Sequence, residues 1–595
     1  MKKPNPFVYC LCFILFTSSL FAQLFVKSGS YVYVKDKPLY VKDYVNLDVN
    51  ANLYLRNGSQ LFQDANATST TNTGTGIVSV FQEGTVNNYS YNYWCSPVGK
   101  ATTSTLINEN FGITLLHRPT SELSSTVTEF ATLYDGNASP LSISRRWIHK
   151  YITASGYSGW IYVGDATTIA PGEGFTMKGT AGVDNSFSED GVSNNPGSAQ
   201  RYDFRGKANN GNIPIVVAPG ETTLTGNPYP SAINLQQFLL TGSANNPSAV
   251  NCTGIAYFWE QDKSVNSHML VDYRGGYGAY AAGIGPDGLY EIPTFFAMDN
   301  NGNPITGSFG SGTDYPRKFS PIGQGFMIIG APSASAPVVM QNKFRVYQKE
   351  GALVSRFEKT ETESLTSNEW SYFRMNTKLN GQGVRRMTLA FNPNATDGLD
   401  HGMDAESIDS HPVDVFFPIE NKECNIQSVA FDINKRIPMG FKTNVPAVFA
   451  LTVSEIMDFD ESQDIYLHDK IADTYHSIKN GLHEINLPVG VNKDQFEITF
   501  KTSFLNTESN SFSVIDVLQN NANQELTISN PALLNLSSVA LYDVAGKLIF
   551  DKKNNAVSEK YTYSTAGISE GVYIVKIINS DKRDFSKKIT VTNRK

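Results

Sequence analysis

The sequence predicts an all-β protein built from several modules, and three observations carry that reading. The chain has 595 residues, too many for one hydrophobic core. Charged residues make up only 17% and aromatics 12%, a balance that favours strands over helices. Short apolar runs alternate with Gly, Asn, Asp and Ser over the whole length, the pattern of strands and turns. The expected order is a signal segment at 1–22, a short-strand repeat at 23–88 and a central duplicated β region at 89–340. A linker at 341–369, a β-sandwich module at 370–503 and a C-terminal sandwich at 512–595 complete it.

The N-terminus reads as a secretory signal. Lys2 and Lys3 precede an apolar run at 7–16, and Ser18-Ser-Leu-Phe-Ala22 places cleavage before Gln23. That run is too short to span a bilayer, and no other stretch of eighteen apolar residues occurs. Cys10 and Cys12 lie inside it without a lipoprotein context. The mature chain keeps Cys95, Cys252 and Cys424, an odd, sparse set that argues against a disulfide scaffold. They read as buried small hydrophobes, with a Cys95–Cys252 bridge as the alternative.

Residues 24–62 carry apolar triplets whose starts fall 6 to 8 residues apart, from Leu24-Phe-Val26 to Leu61-Phe62. One short strand per repeat fits stacked rungs of a small β-solenoid, and a plain meander fits almost as well. The central region shows a weak duplication. One unit holds Tyr93-Trp-Cys-Ser-Pro-Val98, Trp160-Ile-Tyr-Val163 and Pro171-Gly-Glu-Gly-Phe-Thr-Met-Lys-Gly179. The other holds Gly226-Asn-Pro-Tyr-Pro-Ser-Ala-Ile233, Ala256-Tyr-Phe-Trp259 and Ile322-Gly-Gln-Gly-Phe-Met-Ile-Ile-Gly330. Each glycine of the Gly-x-Gly-Phe turns is expected at positive φ ahead of a buried Phe175 or Phe326. A helix is expected at 234–240, and Gly275-Gly-Tyr-Gly278 and Gly307-Ser-Phe-Gly-Ser-Gly312 read as mobile loops. The Gly-x-Gly sites lack the third glycine or the Gly-Lys-Ser/Thr of a phosphate loop, so no cofactor is expected.

The C-terminal stretch carries strand-like runs bounded by turns. They include Ser537-Ser-Val-Ala-Leu-Tyr542, Lys547-Leu-Ile-Phe550 and Gly571-Val-Tyr-Ile-Val-Lys-Ile577, and seven or so short strands make an Ig-like sandwich. From residue 511 on, 11 Lys and Arg face 8 Asp and Glu, so this part carries +3 and the rest −11 of the net −8. An acidic body gives no case for nucleic-acid binding.

Leu541-Tyr-Asp-Val-Ala-Gly-Lys547, Gly571-Val-Tyr-Ile-Val-Lys576 and Lys587-Lys-Ile-Thr-Val591 closely resemble the type A C-terminal sorting domain of type IX secretion cargo. The resemblance implies recognition by the export machinery, with Asp543, Gly546, Lys547, Gly571, Tyr573, Lys587 and Lys588 as the motif residues. It implies passage through the periplasm and a secreted or outer-surface location. An ordinary sandwich is the alternative reading of the same strands. Asn394-Ala-Thr-Asp-Gly-Leu-Asp-His-Gly-Met-Asp-Ala405, Pro438-Met-Gly-Phe441 and Ile465-Tyr-Leu-His-Asp469 resemble a module of large surface proteins exported the same way. The Trp-Cys-Ser-Pro-Val and Asn-Pro-Tyr-Pro-Ser-Ala-Ile motifs resemble those proteins too. The likeness spans most of 89–595 and supplies architecture, not chemistry.

No Gly-x-Ser-x-Gly elbow or His-Glu-x-x-His motif occurs. His468 and His476 are expected on or beside surface strands. Three carboxylates in a turn, Asp397, Asp400 and Asp404, are the candidate metal site, for Ca²⁺, with turn capping as the alternative. Trp160, Trp259 and Tyr277 could stack on sugars, although core packing is the better expectation for each. The functional expectation is a non-enzymatic adhesin or structural surface component. The alternative is a protein that binds or degrades glycans, its partner a surface glycan or an environmental polymer.

Overall fold

The computed structural model describes residues 23–64, 72–104, 106–242, 244–351, 356–357, 370–409, 411–502, 515–553, 556–580 and 584–592. The expected signal segment and much of the expected linker lie outside these residues. The protein is almost entirely β and divides into two compact units, residues 1–501 and 502–595.

The first unit opens with a parallel β-solenoid. Leu24–Val26 lies on Val45–Leu47, Tyr31–Lys35 on Asn52–Arg56, and Pro38–Val41 on Gln60–Gln63. Partners such as Leu24 and Val45, or Pro38 and Gln60, are 21 or 22 residues apart, so each coil has three sides. The regular triplets are therefore sides of a coil and not whole rungs. A third coil begins where Thr73 bridges Asn46 in parallel and continues with Ile77–Glu83, parallel to Asn52–Arg56. Val26, Val45, Leu47, Leu53, Leu55, Leu61 and Val80 fill the interior. Arg56 is fully buried beside them and donates to Leu55 O, Ser79 O, Ser79 Oγ and Glu122 O. Its guanidinium also lies 3.5 Å from the Phe81 ring centroid, so four of its five donors are bonded and its charge rests on a ring.

Each of the two expected units of the central region holds one antiparallel pair of strands far apart in sequence, a long-range hairpin. Tyr91–Cys95 pairs antiparallel with Gly174–Lys178, and Thr222–Gly226 with Gly325–Gly330. In each pair the second glycine of Gly-x-Gly-Phe opposes the last residue of the partner strand, Cys95 or Gly226. Only the first glycines, Gly172 and Gly323, take positive φ, at 84° and 78°. The second glycines serve close approach instead. A Cβ on Gly174 would meet Thr225 O at 2.7 Å, and one on Gly325 would meet the Tyr93 carbonyl carbon at 2.6 Å. Each hairpin thus needs a bare backbone where the other crosses it.

The expected helix forms at Leu235–Leu239, capped by Asn234, whose side chain accepts from Gln237 N–H at 3.0 Å. Gly275–Gly278 is not a loop. It lies in the strand Arg274–Ala281, paired with Cys252–Gln261, because its glycines admit large neighbours. A Cβ on Gly275 would strike the Trp259 ring, and one on Gly278 the Tyr290 ring. Residues 307–311 likewise belong to a strand, Pro304–Ser311, paired with Thr294–Met298.

Residues 370–501 form a long, bent sheet whose two halves close on one core. Phe373, Met375 and Leu389 of one half meet Met439, Phe441, Phe496 and Ile498 of the other. This sandwich packs directly on the central region. Ala390, Ala405 and Ile426 share a cluster with Leu224, Ile255, Tyr257 and Met327. Arg386 and Thr388 reach across to Glu291, which is fully buried.

The second unit is a seven-stranded sandwich. Asp516–Asn520, Glu525–Ser529 and Lys560–Ser564 form one sheet. Leu548–Lys553, Leu536–Asp543, Gly571–Asn579 and Asp584–Val591 form the other, in that order. Leu526, Ile528, Val539, Leu541, Val575 and Ile577 fill the space between them.

Candidate functional site

The carboxylates of the aspartate loop face different partners. Asp397 is exposed and pairs with Lys435. Asp400 accepts from Thr396 N–H at 2.6 Å and from Thr396 Oγ1 at 3.0 Å. Asp404 is buried and accepts from the N–H of Asp400 and of Ser428, each at 2.6 Å. Among the described residues no group of three or more His, Cys, Asp or Glu side chains is placed to hold a metal ion. Asp400 and Asp404 cap backbone N–H groups of the turn, and Asp397 makes an ion pair. They shape the turn that docks the loop on the central region. Gly402 N–H donates to Thr253 O at 2.8 Å, and Gly402 O accepts from Gly283 N–H at 2.7 Å.

Burial pushes the Asp404 carboxyl up to about 7, against the pull of its two backbone donors. A carboxyl raised in this way binds its proton more tightly in the folded state. Its contribution to stability therefore falls as pH rises from the unfolded value, ~4, through about 7. Asp404→Asn keeps one acceptor and sets an amide N–H₂ against the other donor. The variant is expected to lose about 1–3 kcal/mol at pH 5 and to flatten this part of the pH profile, as read by urea unfolding across pH 4–8.

Among the described residues Cys95, Cys252 and Cys424 are buried free thiols, so Cys95 and Cys252 do not pair. Each lies in its own packed core: Cys252 in that of the second hairpin, and Cys95 beside Gly226. His468 is buried and not on the surface. Its Nδ1 meets Glu497 Oε1 at 2.7 Å, its Nε2 meets Asp473 Oδ1 at 3.1 Å, and its ring stacks on Tyr475. Trp160, Trp259 and Tyr277 pack around Tyr93, with Tyr277 Oη 2.6 Å from Tyr93 Oη. All three are half-buried, and they pack against one another and against the core of the first unit.

Two clusters were beyond sequence reasoning. One is a cavity of about 270 Å³ at the flank of the solenoid, lined by Glu83, Glu189, Glu350, Gln60, Gln82 and Arg201 among others. Arg201 pairs with Glu83. Glu350 is exposed, and Gln82 Nε2 donates to it at 2.7 Å. The other is an aromatic box around Lys178. No local motif marks either, because their members come from strands far apart in the chain.

In the second unit the three motif segments fall on neighbouring strands of one sheet. Asp543 opposes Tyr573, which opposes Ile589, and Tyr542 opposes Ile574, which opposes Lys588. Asp543 caps its turn by accepting from Ala545 N–H and Lys547 N–H, each at 2.9 Å. Gly546 closes that turn at φ 81°, a conformation costly for other residues. Gly571 opens its strand without a positive φ. Tyr573 is buried, and its hydroxyl donates to Ser569 O at 2.8 Å. Lys587 pairs with Asp516 at 2.6 Å across the unit. Ile574 is 40% exposed and Lys588 is exposed, so the row through Tyr542 forms an outward face.

These features define a multi-module all-β protein with a separately folded C-terminal sandwich. Residues 13–500 match a family described as a domain of unknown function, DUF8693, and the chain belongs to that family. Residues 505–591 match a second such domain, DUF8694. No curated protein matches the chain. Among solved structures, a DUF3244 family protein with an immunoglobulin-like β-sandwich fold from Bacteroides vulgatus is 18% identical. The match covers 13% of this chain and 85% of that one, with a TM-score of 0.13. The central fibronectin-III array of RIM-binding protein is 10% identical over 37% of this chain and 88% of that one, TM-score 0.11. The BSP domain of a biofilm-associated protein is 8% identical over 75% and 87%, TM-score 0.12. Likeness at this level carries no argument about fold or function.

Among the described residues no helix is long and apolar enough to cross a membrane.

Proposed function

We propose that this is a secreted or outer-surface β protein, exported by the type IX secretion system and acting without catalysis as an adhesin or structural component. The observation that supports it most is the placement of the three motif segments. They lie side by side on one sheet of a domain that is a compact unit of its own. The buried side of that sheet holds Tyr573 and Ile589, while Ile574 and Lys588 face outward for a partner to read. Deleting residues 512–595 should leave the first unit folded, with near-native tryptophan fluorescence, and trap it in the periplasm. Surface delivery of the truncated chain would refute the reading.

The cavity beside the solenoid favours the second reading, a protein that acts on glycans. Its lining brings Glu83, paired with Arg201, together with Glu350, which accepts from Gln82, and two carboxyls beside one cavity are what general acid–base chemistry uses. Release of reducing sugar by the purified protein, abolished in Glu350→Gln, would replace the non-catalytic reading with this one.

A further inference from the structure

Lys178 ends the strand Gly174–Lys178 and is only 3% exposed. Among the described residues no carboxylate pairs with it directly. Its Nζ instead sits among three rings, with centroids at 4.0 Å for Trp147, 4.7 Å for Tyr273 and 4.9 Å for Tyr91. It donates to Tyr273 Oη and lies 3.1 Å from His268 Nδ1. The other ring nitrogen of His268, Nε2, lies 2.8 Å from Asp135 Oδ1. His268 is further sandwiched by Trp147, Tyr134 and Tyr89, at centroid distances of 5.4, 5.6 and 4.8 Å.

His268 and Tyr273 belong to residues 262–273, the strap between the strands Cys252–Gln261 and Arg274–Ala281. The strap crosses to the first hairpin through side chains. Besides His268, Lys263 Nζ donates to Thr85 O at 2.9 Å and Asn266 meets Asn87 at 3.2 Å. We propose that Asp135, His268 and Lys178 form a proton-controlled latch that holds this strap over the aromatic box and releases it in acid.

The hydrogen-bond pattern dictates the sign. An ionised Asp135 can only accept, so His268 Nε2 carries the proton between them. In the neutral ring Nδ1 is then the acceptor for Lys178 Nζ. Protonating His268 removes that acceptor and sets a second cation 3.1 Å from Nζ, in a site where burial makes charge costly. The other charged groups nearby do not cancel this. Arg146 lies over Tyr134, and the strap's Asp262 and Asp272 are engaged by Ser264 and Ser267. Tyr157 bears on Tyr273 electrostatically but adds no cation. Asp135 also accepts from Asn88, which anchors it whether or not the strap is closed.

The titration shifts agree. Burial pushes Lys178 down to about 7, with Asp135 opposing. Burial also pushes His268 down; the Asp135 hydrogen bond opposes that, and the Lys178 charge adds to it. A base whose folded pKa lies below its unfolded value loses stability as pH falls. For Lys178 that loss runs from ~10.5 down through about 7, and for His268 it runs from ~6.5 downward. Both groups drive the strap toward opening in acid.

Hydrogen exchange on the mature full-length protein tests this, after correction for intrinsic rates. Peptides covering 262–273 should exchange at least about tenfold faster at pH 5 than at pH 8, while the hairpin Thr222–Gly226 with Gly325–Gly330 stays unchanged. His268→Asn, which cannot take up the proton, should flatten the difference. NMR titration of the wild type gives a second reading that needs no variant and should place His268 below the ordinary histidine value. Equal strap protection at the two pH values, a wild-type pH response in His268→Asn, or an ordinary or raised His268 pKa would each overturn the latch.

Discussion

Arg385→Ala is expected to destabilise the first unit by about 3–5 kcal/mol, one of the largest effects of any single charge in the protein. Arg385 and Asp414 are each 3% exposed and form a two-pronged pair, Nε to Oδ1 and Nη2 to Oδ2, both at 2.7 Å. They sit where the 370–501 sandwich meets Phe296 of the central region, whose ring lies 5.4 Å from the guanidinium. Removing the arginine leaves the Asp414 charge buried and unmatched. The cost comes from that orphan and not from the pair's own net worth. A double replacement, Arg385→Met with Asp414→Leu, should therefore recover much of the loss. Denaturant unfolding followed by tryptophan fluorescence reads this unit alone, because all five tryptophans precede residue 502. A loss below about 1 kcal/mol in the single variant would show that water reaches the site.

Gly325→Ala is expected to cost about 3 kcal/mol or more. The new methyl carbon would lie 2.6 Å from the Tyr93 carbonyl carbon and 2.7 Å from Trp94 N. Neither neighbour is the free end of a side chain that can swing away. Both belong to the strand of the first hairpin, so relief requires the two hairpins to part. Gly323→Ala offends differently, through its φ of 78°, and should cost about 1–2 kcal/mol. If the two variants lost the same amount, the crossing of the hairpins would not be the reason for the second glycine.

These cases show what was legible in the sequence. The period of the apolar triplets was visible, but the number of sides per coil was not. Each triplet looks alike, and only the pairing of Leu24 with Val45 sets the coil length. The repeated Gly-x-Gly-Phe was visible, and in the structure both copies take the same register against their partner strands. The role of the second glycine was hidden, because the chain it meets lies about 230 residues earlier for Gly325 and about 50 later for Gly174. The aspartates at 397, 400 and 404 were legible as acceptors gathered in a turn. Which N–H groups they would find depended on Ser428 and on the docked Gly402. Gly275–Gly278 misled because glycine-rich runs read as loops, whereas here they make room for Trp259 and Tyr290. The Lys178 box was invisible. Its walls come from Tyr91, Trp147 and Tyr273, and nothing nearby in sequence marks the lysine except its place at the end of a wholly buried strand.

The export reading stands or falls with the second unit. The decisive measurement places residues 502–595 behind the signal segment and an inert reporter, in a host that carries the secretion system. The account predicts reporter on the surface or in the medium, and its retention when the outward row is disrupted by Ile574→Asp with Lys588→Glu. Both positions lie outside the core, so the sandwich should survive the change. A reporter that stays in the periplasm while the host's own cargo is exported would contradict the account. The domain would then be an ordinary sandwich.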